Sequence, residues 1–355
     1  MKEHQPMTTS DDKKPSLKGQ LGAGRRSVSV SQESLIKSQP LLSDSALPLL
    51  VTPAVEGLNL ITWANSHRPF IETNLAQHGG ILFRNFNIKT LEEFQRFVSE
   101  MSNELLEYTY RSTPRSKVSG NIYTSTEYPA DQSIPLHNEM SYTTSWPMKI
   151  WFCCLIAPQQ QGETPIADSR RIYQRLDPAI RDRFAEKKVM YVRNYGEGID
   201  LSWENVFQTD NKADVEEFCR LNQIDFEWKS GNRLRTRQVC QAVAKHPKTN
   251  EMVWFNQAHL FHVTSLPAAV RDMLLAEFND EDLPRNTYYG DGSPIEPEVL
   301  AEIRHVLDQE TVMFPWQEGD VLMLDNMLVA HARSPFVGPR KIVVGMAESV
   351  DAAAI

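Results

Sequence analysis

The chain has 355 residues, of which 41% are hydrophobic, and its mean hydropathy is −0.42. This composition is typical of a globular protein with one large domain or two ordinary ones, and no window approaches the roughly eighteen consecutive apolar residues of a membrane span. The net charge of −9 and a pI near 5.6 argue against general nucleic-acid binding, which needs a basic face.

Residues 1–47 are expected to form a disordered N-terminal tail, because they are rich in Ser, Lys, Gln and Gly and carry almost no aromatic side chains. Residues 48–355 are expected to form one folded domain. The N-terminus has no apolar segment of the secretory type, and the four cysteines lack the spacing of a zinc or redox motif. We therefore expect reduced thiols and a cytoplasmic location.

The domain begins with an α–β–α pattern. Helical spacing extends over residues 58–79 and ends at a glycine pair, where a helix C-cap is expected. A short buried strand, "GILFRNF", follows. The next helix is predicted from Thr90, which forms a capping box with Glu93 three residues later.

The middle of the chain is predicted to be rich in strands. The clearest are "KIWFCCLIAP", "KVMYVRNY" and "MVWFNQ", which are dense in aromatic and β-branched residues. Two helices are predicted at "RIYQRLDPAIRDRFAEK" and "VEEFCRLNQ". Near the C-terminus, two apolar strands separated by "RSPFVGPR" favour a long hairpin in a barrel or sandwich.

The segment "IPLHNEMSY" places His137 and Glu139 two residues apart in what is predicted to be an extended segment. Side chains at i and i+2 of a strand point the same way, so these two can converge on one metal ion. His331, at the end of the apolar strand "DVLMLDNMLVAH", is the candidate third ligand. Two histidines and one carboxylate with open positions are typical of non-haem Fe(II) oxygenases.

Other interpretations of these residues remain open. A lone histidine at the end of an apolar strand is more often a core or surface residue than a ligand. The same donors suit a zinc hydrolase with one open position, although the HExxH motif is absent. His259 and His262 could form a second metal site, but an aromatic-flanked helix start is the simpler interpretation.

An anionic co-substrate would need a fixed cation near the metal, and the planar guanidinium of arginine suits a carboxylate best. Arg340 follows His331 by nine residues, on the return strand of the predicted hairpin, so both can face one pocket. Arg333 is the nearer alternative, but it is predicted to lie in the turn and to be solvated.

Several segments together resemble the TauD/TfdA superfamily of Fe(II)/2-oxoglutarate-dependent dioxygenases, and within it the SyrP-like and clavaminate-synthase-like branch. They are "LHNEMSY", "QGETPIADSRRIY" and "GDVLMLDNMLVAHARSPFVGPRKIVVGMAE". The resemblance covers about residues 50 to 350. It implies a mainly β fold with flanking helices, a double-stranded β-helix (jelly-roll) core.

Carried over to this sequence, the resemblance implies His137, Glu139 and His331 as the iron ligands and as the catalytic centre. It implies Arg340 as the partner of the distal carboxylate of 2-oxoglutarate, and Thr164 as a hydroxyl contact to the same co-substrate. O2 would be the second co-substrate. Lys341 should point to the opposite face of the strand from Arg340.

The activity implied is hydroxylation of an unactivated C–H bond of an amino acid or amino-acid derivative, free or bound to a carrier protein, in antibiotic or other specialised-metabolite biosynthesis. Desaturation, cyclisation or sulfonate-type cleavage with the same cofactors, and a non-catalytic binding module, are the alternatives. No nucleic-acid or membrane partner is expected. Candidate substrate-binding residues flank the implied pocket: Arg111, Arg115, Asn121 and Asn256. The two arginines could equally pair with surface acids.

Overall fold

The computed structural model describes residues 35–102, 104–107, 117–124, 128–196 and 201–355. Its strands are β1 (Ile36–Leu42), β2 (Ser45–Pro53), β3 (Gly80–Phe83), β4 (Lys117–Ser119), β5 (Ile122–Thr124), β6 (Ile134–His137), β7 (Ser145–Ile156), β8 (Gln160–Gln161), β9 (Ile166–Asp168), β10 (Val189–Tyr195), β11 (Asp225–Lys229), β12 (Arg233–Cys240), β13 (Val243–Lys245), β14 (Met252–Trp254), β15 (Arg285–Tyr289), β16 (Val321–Asp325), β17 (Val329–Arg333), β18 (Phe336–Val337) and β19 (Lys341–Asp351).

The α-helices are α1 (Leu60–Ser66), α2 (Arg68–His78), α3 (Leu91–Met101), α4 (Ser169–Arg175), α5 (Pro178–Lys187), α6 (Trp203–Phe207), α7 (Lys212–Leu221), α8 (Ala258–Phe261), α9 (Ala268–Glu277) and α10 (Pro297–Gln309). Within the described ranges, no helix is long and apolar enough to span a bilayer.

Two sheets form the centre of the fold. The larger has eight strands in the order β1-β2-β3-β16-β7-β19-β5-β4, and the smaller has the order β6-β17-β9. They face each other closely, since the ring of Phe152 on β7 lies 5.1 Å from the ring of His331 on β17, centroid to centroid. This is the sandwich with flanking helices that a jelly-roll core requires.

Strand β7 shows why the predicted apolar runs are continuous rather than alternating. Ile150 and Phe152 pack into the core between the two sheets, whereas Trp151 and Cys153 pack under α1 and α3 on the other face. Because both faces of the strand are buried, almost every position is apolar. All four cysteines are buried and unbridged, as predicted.

The α–β–α opening is confirmed with one difference. The predicted helix over residues 58–79 is two helices, α1 and α2, which meet at His67, one residue ahead of the Arg68–Pro69 start of α2. Gly79 ends α2 with a left-handed φ of 76°, and the Thr90–Glu93 capping box on α3 is present. A proline also divides the helix predicted at residues 171–187, because α5 begins at Pro178 with Asp177 as its N-cap.

Two other predictions need correction. The long C-terminal hairpin is wrong: β17 pairs with β6 and β9 in the smaller sheet, whereas β19 pairs with β7 and β5 in the larger one. The Pro- and Gly-containing turn therefore crosses between sheets. The boundary at residue 47 falls inside a sheet, since β1 and β2 pair from Ile36 onward and Leu47 is 4% exposed. Residues 1–34 lie outside the described ranges.

Strands β10, β11, β12 and β15 form a separate four-stranded sheet, in the order β11-β12-β10-β15. It packs with the helices that precede and follow it into its own apolar core, which also includes Leu136 and Tyr142 beside the histidine–glutamate segment. This layer therefore supports one side of the functional site.

Candidate metal centre

Strand pairing brings the two candidate histidines together. His331 on β17 lies directly opposite His137 on β6 in the antiparallel register, and their ring centroids are 4.4 Å apart. Nδ1 of His137 lies 2.8 Å from the carbonyl oxygen of Pro135, so it carries the proton and donates to that carbonyl. The lone pair of His137 is therefore on Nε2, the atom available to a metal.

Glu139 completes the cluster from outside the strand. Strand β6 ends at His137, so the prediction that Glu139 continues an extended segment is wrong. Its carboxylate nevertheless converges with the two rings, because the chain turns at Asn138–Glu139 and Met140 takes a positive φ of 57°. Glu139 Oε2 is 3.8 Å from His331 Nε2, and one ligand atom from each of the three residues lies within 4.8 Å of the others.

Buried amides hold this turn in place. The side chain of Asn326 bonds both backbone groups of Glu139: its Oδ1 accepts from the amide nitrogen at 2.7 Å, and its Nδ2 donates to the carbonyl oxygen at 2.9 Å. Asn138 Nδ2 donates in return to the Asn326 carbonyl at 2.7 Å, and Gln257 Nε2 donates to the Asn138 carbonyl at 2.8 Å. These bonds replace the ladder bonds that the turn lacks.

The turn that carries Asn326 is itself anchored. Asp325 Oδ1 accepts from the amides of Met327 and Leu328, and Oδ2 is 3.0 Å from Nε2 of the fully buried His246. His246 Nδ1 accepts two backbone N–H bonds, so the proton is on Nε2 and the ring is neutral. A chain of hydrogen bonds therefore extends from the end of β16 to the backbone of Glu139, the candidate carboxylate ligand.

A pocket next to the histidines carries positive charge. It is lined by His137, His331, Thr164, Phe152, Arg333, Arg340 and neighbouring apolar residues. Arg340 Nε donates to the Gly162 carbonyl at 2.9 Å. Burial, and then the charge of Arg333, lower the pKa of Arg340 to about 10. The guanidinium groups of Arg333 and Arg340 repel each other in this largely buried pocket. A bound anion would offset that repulsion, so the pocket is suited to an anionic ligand.

Arg333 differs from its expected position. It lies in β17 rather than in a solvated turn, is 6% exposed, and donates to the backbone carbonyls of Tyr128, Pro129 and Gln132. Its guanidinium therefore holds the 128–132 segment against the end of β17. Lys341 is exposed, as predicted for the opposite face.

The donor set fits ferrous iron. Two imidazoles and one carboxylate, all borderline or hard donors, converge on the candidate metal position, and the cationic pocket lies beside them. Glu139 is 2% exposed, and a cation bound here would balance its buried charge. Zinc accepts the same donors, but the neighbouring guanidinium groups provide for a chelating anion, which hydrolytic zinc does not require.

Comparison with known proteins agrees with this geometry. The model of the "Taurine catabolism dioxygenase TauD, TfdA family" matches residues 44–346. The chain belongs to the TauD/TfdA family. It is 42% identical over 312 residues to the dapdiamide synthesis protein DdaC of Enterobacter agglomerans, covering 88% of this chain and 94% of that protein. It is 29% identical over 332 residues to a clavaminate synthase-like protein of Arabidopsis thaliana, covering 88% and 97%.

Solved structures show the same fold. The PvcB protein of Pseudomonas aeruginosa superposes with a TM-score of 0.55 at 15% identity, over 89% of this chain and 94% of that one. The jelly-roll prediction is confirmed. The family match, together with the His–Glu–His cluster, confirms that this TauD/TfdA member is a 2-oxoglutarate-dependent dioxygenase with iron as its metal.

The two candidate substrate asparagines of this TauD/TfdA member bond backbone groups and do not line the metal pocket. Arg111 and Arg115 lie outside the described residues. Asn121 Nδ2 donates to the Leu105 carbonyl at 2.6 Å. Asn256 is 2% exposed, and both ends of its amide bond backbone groups, those of Ala242 and Ala258.

A second metal site finds no support within the described ranges, where the only three-residue ligand cluster is the one above. His259 Nε2 donates to the Leu136 carbonyl at 2.9 Å, and His262 Nδ1 lies 2.9 Å from Thr264 Oγ1. The helix-start interpretation is confirmed, since α8 covers Ala258–Phe261.

Proposed function

We propose that this dioxygenase hydroxylates an unactivated C–H bond of an amino-acid-derived small molecule in specialised-metabolite biosynthesis. In the overall reaction R–H, 2-oxoglutarate and O2 give R–OH, succinate and CO2, so one oxygen atom enters each organic product. His137, Glu139 and His331 would hold the iron, which would supply the activation of O2 that, coupled to decarboxylation of the co-substrate, oxidises the C–H bond. The observation that supports this proposal most directly is the cluster of three potential metal ligands beside a pocket with two arginines.

Other residues of the pocket bind 2-oxoglutarate and exclude water. Arg340 holds the distal carboxylate of 2-oxoglutarate through its guanidinium, while its Nε stays on the Gly162 carbonyl. The Thr164 hydroxyl accepts from Trp316 Nε1 at 3.2 Å, which leaves its own proton for a carboxylate oxygen. Phe152, Ile342 and Val344 form an apolar wall that excludes water from the reacting centre.

The substrate class is supported by the relatives rather than by contacts in the pocket. One relative, at 42% identity over most of both chains, is named for dapdiamide synthesis, and another is clavaminate synthase-like. Such names favour a specialised metabolite. Whether the substrate is free or bound to a carrier protein is decided by assaying both forms.

Anaerobic absorption spectroscopy tests the metal and co-substrate assignments first. Purified protein with Fe(II) and 2-oxoglutarate should show the weak visible charge-transfer band of the chelate. His137→Ala should abolish the band, whereas His305→Ala, which removes an exposed histidine of α10, should retain it. A band that survives His137→Ala, or one lost equally in both variants, would contradict the ligand assignment.

Product analysis then separates the possible outcomes. Amino acids and their carrier-bound forms are screened by succinate release, and hits are analysed by mass spectrometry under 18O2. Hydroxylation adds one labelled oxygen atom to the substrate, whereas desaturation or ring closure removes two hydrogen atoms and adds none. Succinate release without any change of substrate mass would refute hydroxylation for that compound.

A further inference from the structure

Phe336 on β18 contacts both arginines of the metal pocket. The guanidinium carbon of Arg333 lies 5.3 Å from the centre of its ring, and that of Arg340 lies 5.4 Å away. Both distances are within the roughly 6 Å over which an aromatic ring face attracts a cation. Phe336 is not among the described residues that line the pocket, so its effect on a bound co-substrate passes through the arginines.

The backbone fixes where the ring of Phe336 lies. Its N–H donates to the Ala130 carbonyl at 2.9 Å, and it pairs with Gln161 in the β8–β18 ribbon. Gly162, the next residue after β8, has a positive φ of 74°, and a Cβ added there would lie 2.8 Å from the Cβ of Phe336. Glycine permits this close approach, so Phe336 and the end of β8 form one closely packed unit.

The same unit holds Arg340 by a second contact. Nε of Arg340 donates to the Gly162 carbonyl at 2.9 Å, while the guanidinium lies over the ring of Phe336. The hydrogen bond engages one edge of the planar group and the ring engages one face, so the two contacts together define its position and its plane. A carboxylate that pairs with this arginine is therefore met by Nη1 and Nη2, at a defined place in the pocket.

Repulsion between the two arginines acts mainly on Arg340. Burial, and then the charge of Arg333, lower the pKa of Arg340. Arg333 is fixed by its bonds to three backbone carbonyls, so the arginine that can withdraw is Arg340. The ring of Phe336 attracts both cations and offsets part of their repulsion. It thereby raises the fraction of molecules in which Arg340 is placed to bind a carboxylate, and apparent affinity rises with that fraction.

We propose that Phe336 is a positioning residue that sets the co-substrate selectivity of this centre, because its ring holds Arg340 where 2-oxoglutarate, rather than a longer 2-oxo dicarboxylate, places its distal carboxylate. This role rests on the proposed function, which assigns that carboxylate to Arg340. Without the ring, Arg340 can withdraw from the metal pocket. Affinity for 2-oxoglutarate then falls, and so does discrimination against 2-oxoadipate, which is one methylene longer.

The test is an anaerobic titration of the full-length Fe(II)-loaded protein, with the charge-transfer band as the signal. Phe336→Leu should raise the Kd of 2-oxoglutarate about fivefold, or about 1 kcal/mol, the size of a cation–π contact at a partly exposed site. Phe336→Tyr keeps the ring and should stay within twofold of wild type. Phe226→Leu, the same change at a partly buried phenylalanine of β11, is the matched control and should also stay within twofold.

Two other 2-oxo acids distinguish positioning from a general loosening of the pocket. Wild type should bind 2-oxoglutarate about tenfold more tightly than 2-oxoadipate, and Phe336→Leu should narrow this ratio to about threefold. 2-Oxopentanoate, which has a methyl group in place of the distal carboxylate, should bind wild type and Phe336→Leu equally. An equal loss of affinity for 2-oxopentanoate and 2-oxoglutarate would show a merely structural role. If Phe336→Leu does not fold, Phe336→Met should give the same pattern.

The outcomes separate the role of Phe336 from the proposed function. A wild-type protein that binds Fe(II) but gives no band with 2-oxoglutarate would refute the dioxygenase centre itself. A normal wild-type band, with a Kd for Phe336→Leu within twofold of wild type, would overturn the role of Phe336 and leave that centre standing. An unchanged ratio between 2-oxoglutarate and 2-oxoadipate, or an equal loss in Phe336→Tyr and Phe336→Leu, would also overturn it.

Discussion

Replacing Arg340 tests the co-substrate pocket most directly. The buried position of this arginine, with Arg333 nearby, lowers its pKa to about 10. At about 1.4 kcal/mol per pKa unit, that depression corresponds to about 3 kcal/mol of unfavourable free energy for the charged side chain at this buried position. A carboxylate placed against the guanidinium offsets most of this cost and gains two charge-assisted hydrogen bonds.

The expected loss of affinity follows from the two charge-assisted hydrogen bonds that the guanidinium can give to a carboxylate. Arg340→Ala should weaken 2-oxoglutarate binding by about 2–3 kcal/mol, which is roughly 30- to 150-fold in Kd. Arg340→Lys keeps the charge but not the planar pair of donors, so a loss of roughly tenfold is expected. Because the iron ligands are untouched, Fe(II) affinity should change little in either variant.

The assay is an anaerobic titration of 2-oxoglutarate into the Fe(II)-loaded protein, with the charge-transfer band as the signal. Arg333→Lys is the informative comparison, because Arg333 binds three backbone carbonyls and should affect thermal stability more than co-substrate affinity. A change of less than threefold in Arg340→Ala, or a larger loss of affinity in Arg333→Lys than in Arg340→Ala, would refute the assignment of Arg340 as the anchor.

Three further changes probe the surroundings of the site. Thr164→Val should raise the Kd of 2-oxoglutarate about tenfold, because the hydroxyl contact is lost, and it also leaves Trp316 Nε1 without its acceptor. In the same titration, the Kd of Thr164→Ser should stay within threefold of wild type. Asn326→Leu should lower the free energy of unfolding by about 2–4 kcal/mol in urea denaturation and reduce Fe(II) affinity, because two backbone bonds to Glu139 are lost; full iron affinity would contradict the positioning role. Burial lowers the pKa of both His259 and His262 to about 4, so the folded state favours two neutral rings, and each should cost about 1–2 kcal/mol of stability between pH 7 and pH 5. His262→Asn should remove about half of this fall, and an unchanged slope would exclude His262 as one of its sources.

The three candidate ligand positions could be proposed from the sequence because their signals are local. His137 and Glu139 stand two residues apart after an apolar lead-in, and His331 ends an apolar strand. Pairing of β6 with β17 then brings the two histidines opposite each other, a register that no single segment specifies. The convergence predicted from strand geometry is real, but it arises from a turn stabilised by Asn326 rather than from a continuous strand.

The missed features depend on contacts between distant parts of the chain. The "LDN" that precedes the strand of His331 is visible in the sequence, but that its asparagine binds the backbone of Glu139, 187 residues earlier, is not. Arg333 was expected in a solvated turn because a hairpin was assumed. Since β17 and β19 belong to different sheets, the same arginine is buried and binds the 128–132 segment.

The position of Glu139 outside any strand has a consequence for the whole domain. Its backbone N–H and carbonyl are held by hydrogen bonds with the side chain of Asn326, and the turn that carries Asn326 is anchored by Asp325 and the buried His246. The three ligands therefore converge only when the two sheets and the β16–β17 turn are in place. A metal ion bound to them binds the folded state and not the unfolded chain, so it adds its binding free energy to the stability of the sandwich. The metal centre and the core between the sheets are in this sense one structural unit, and changes that loosen the β16–β17 turn act on both.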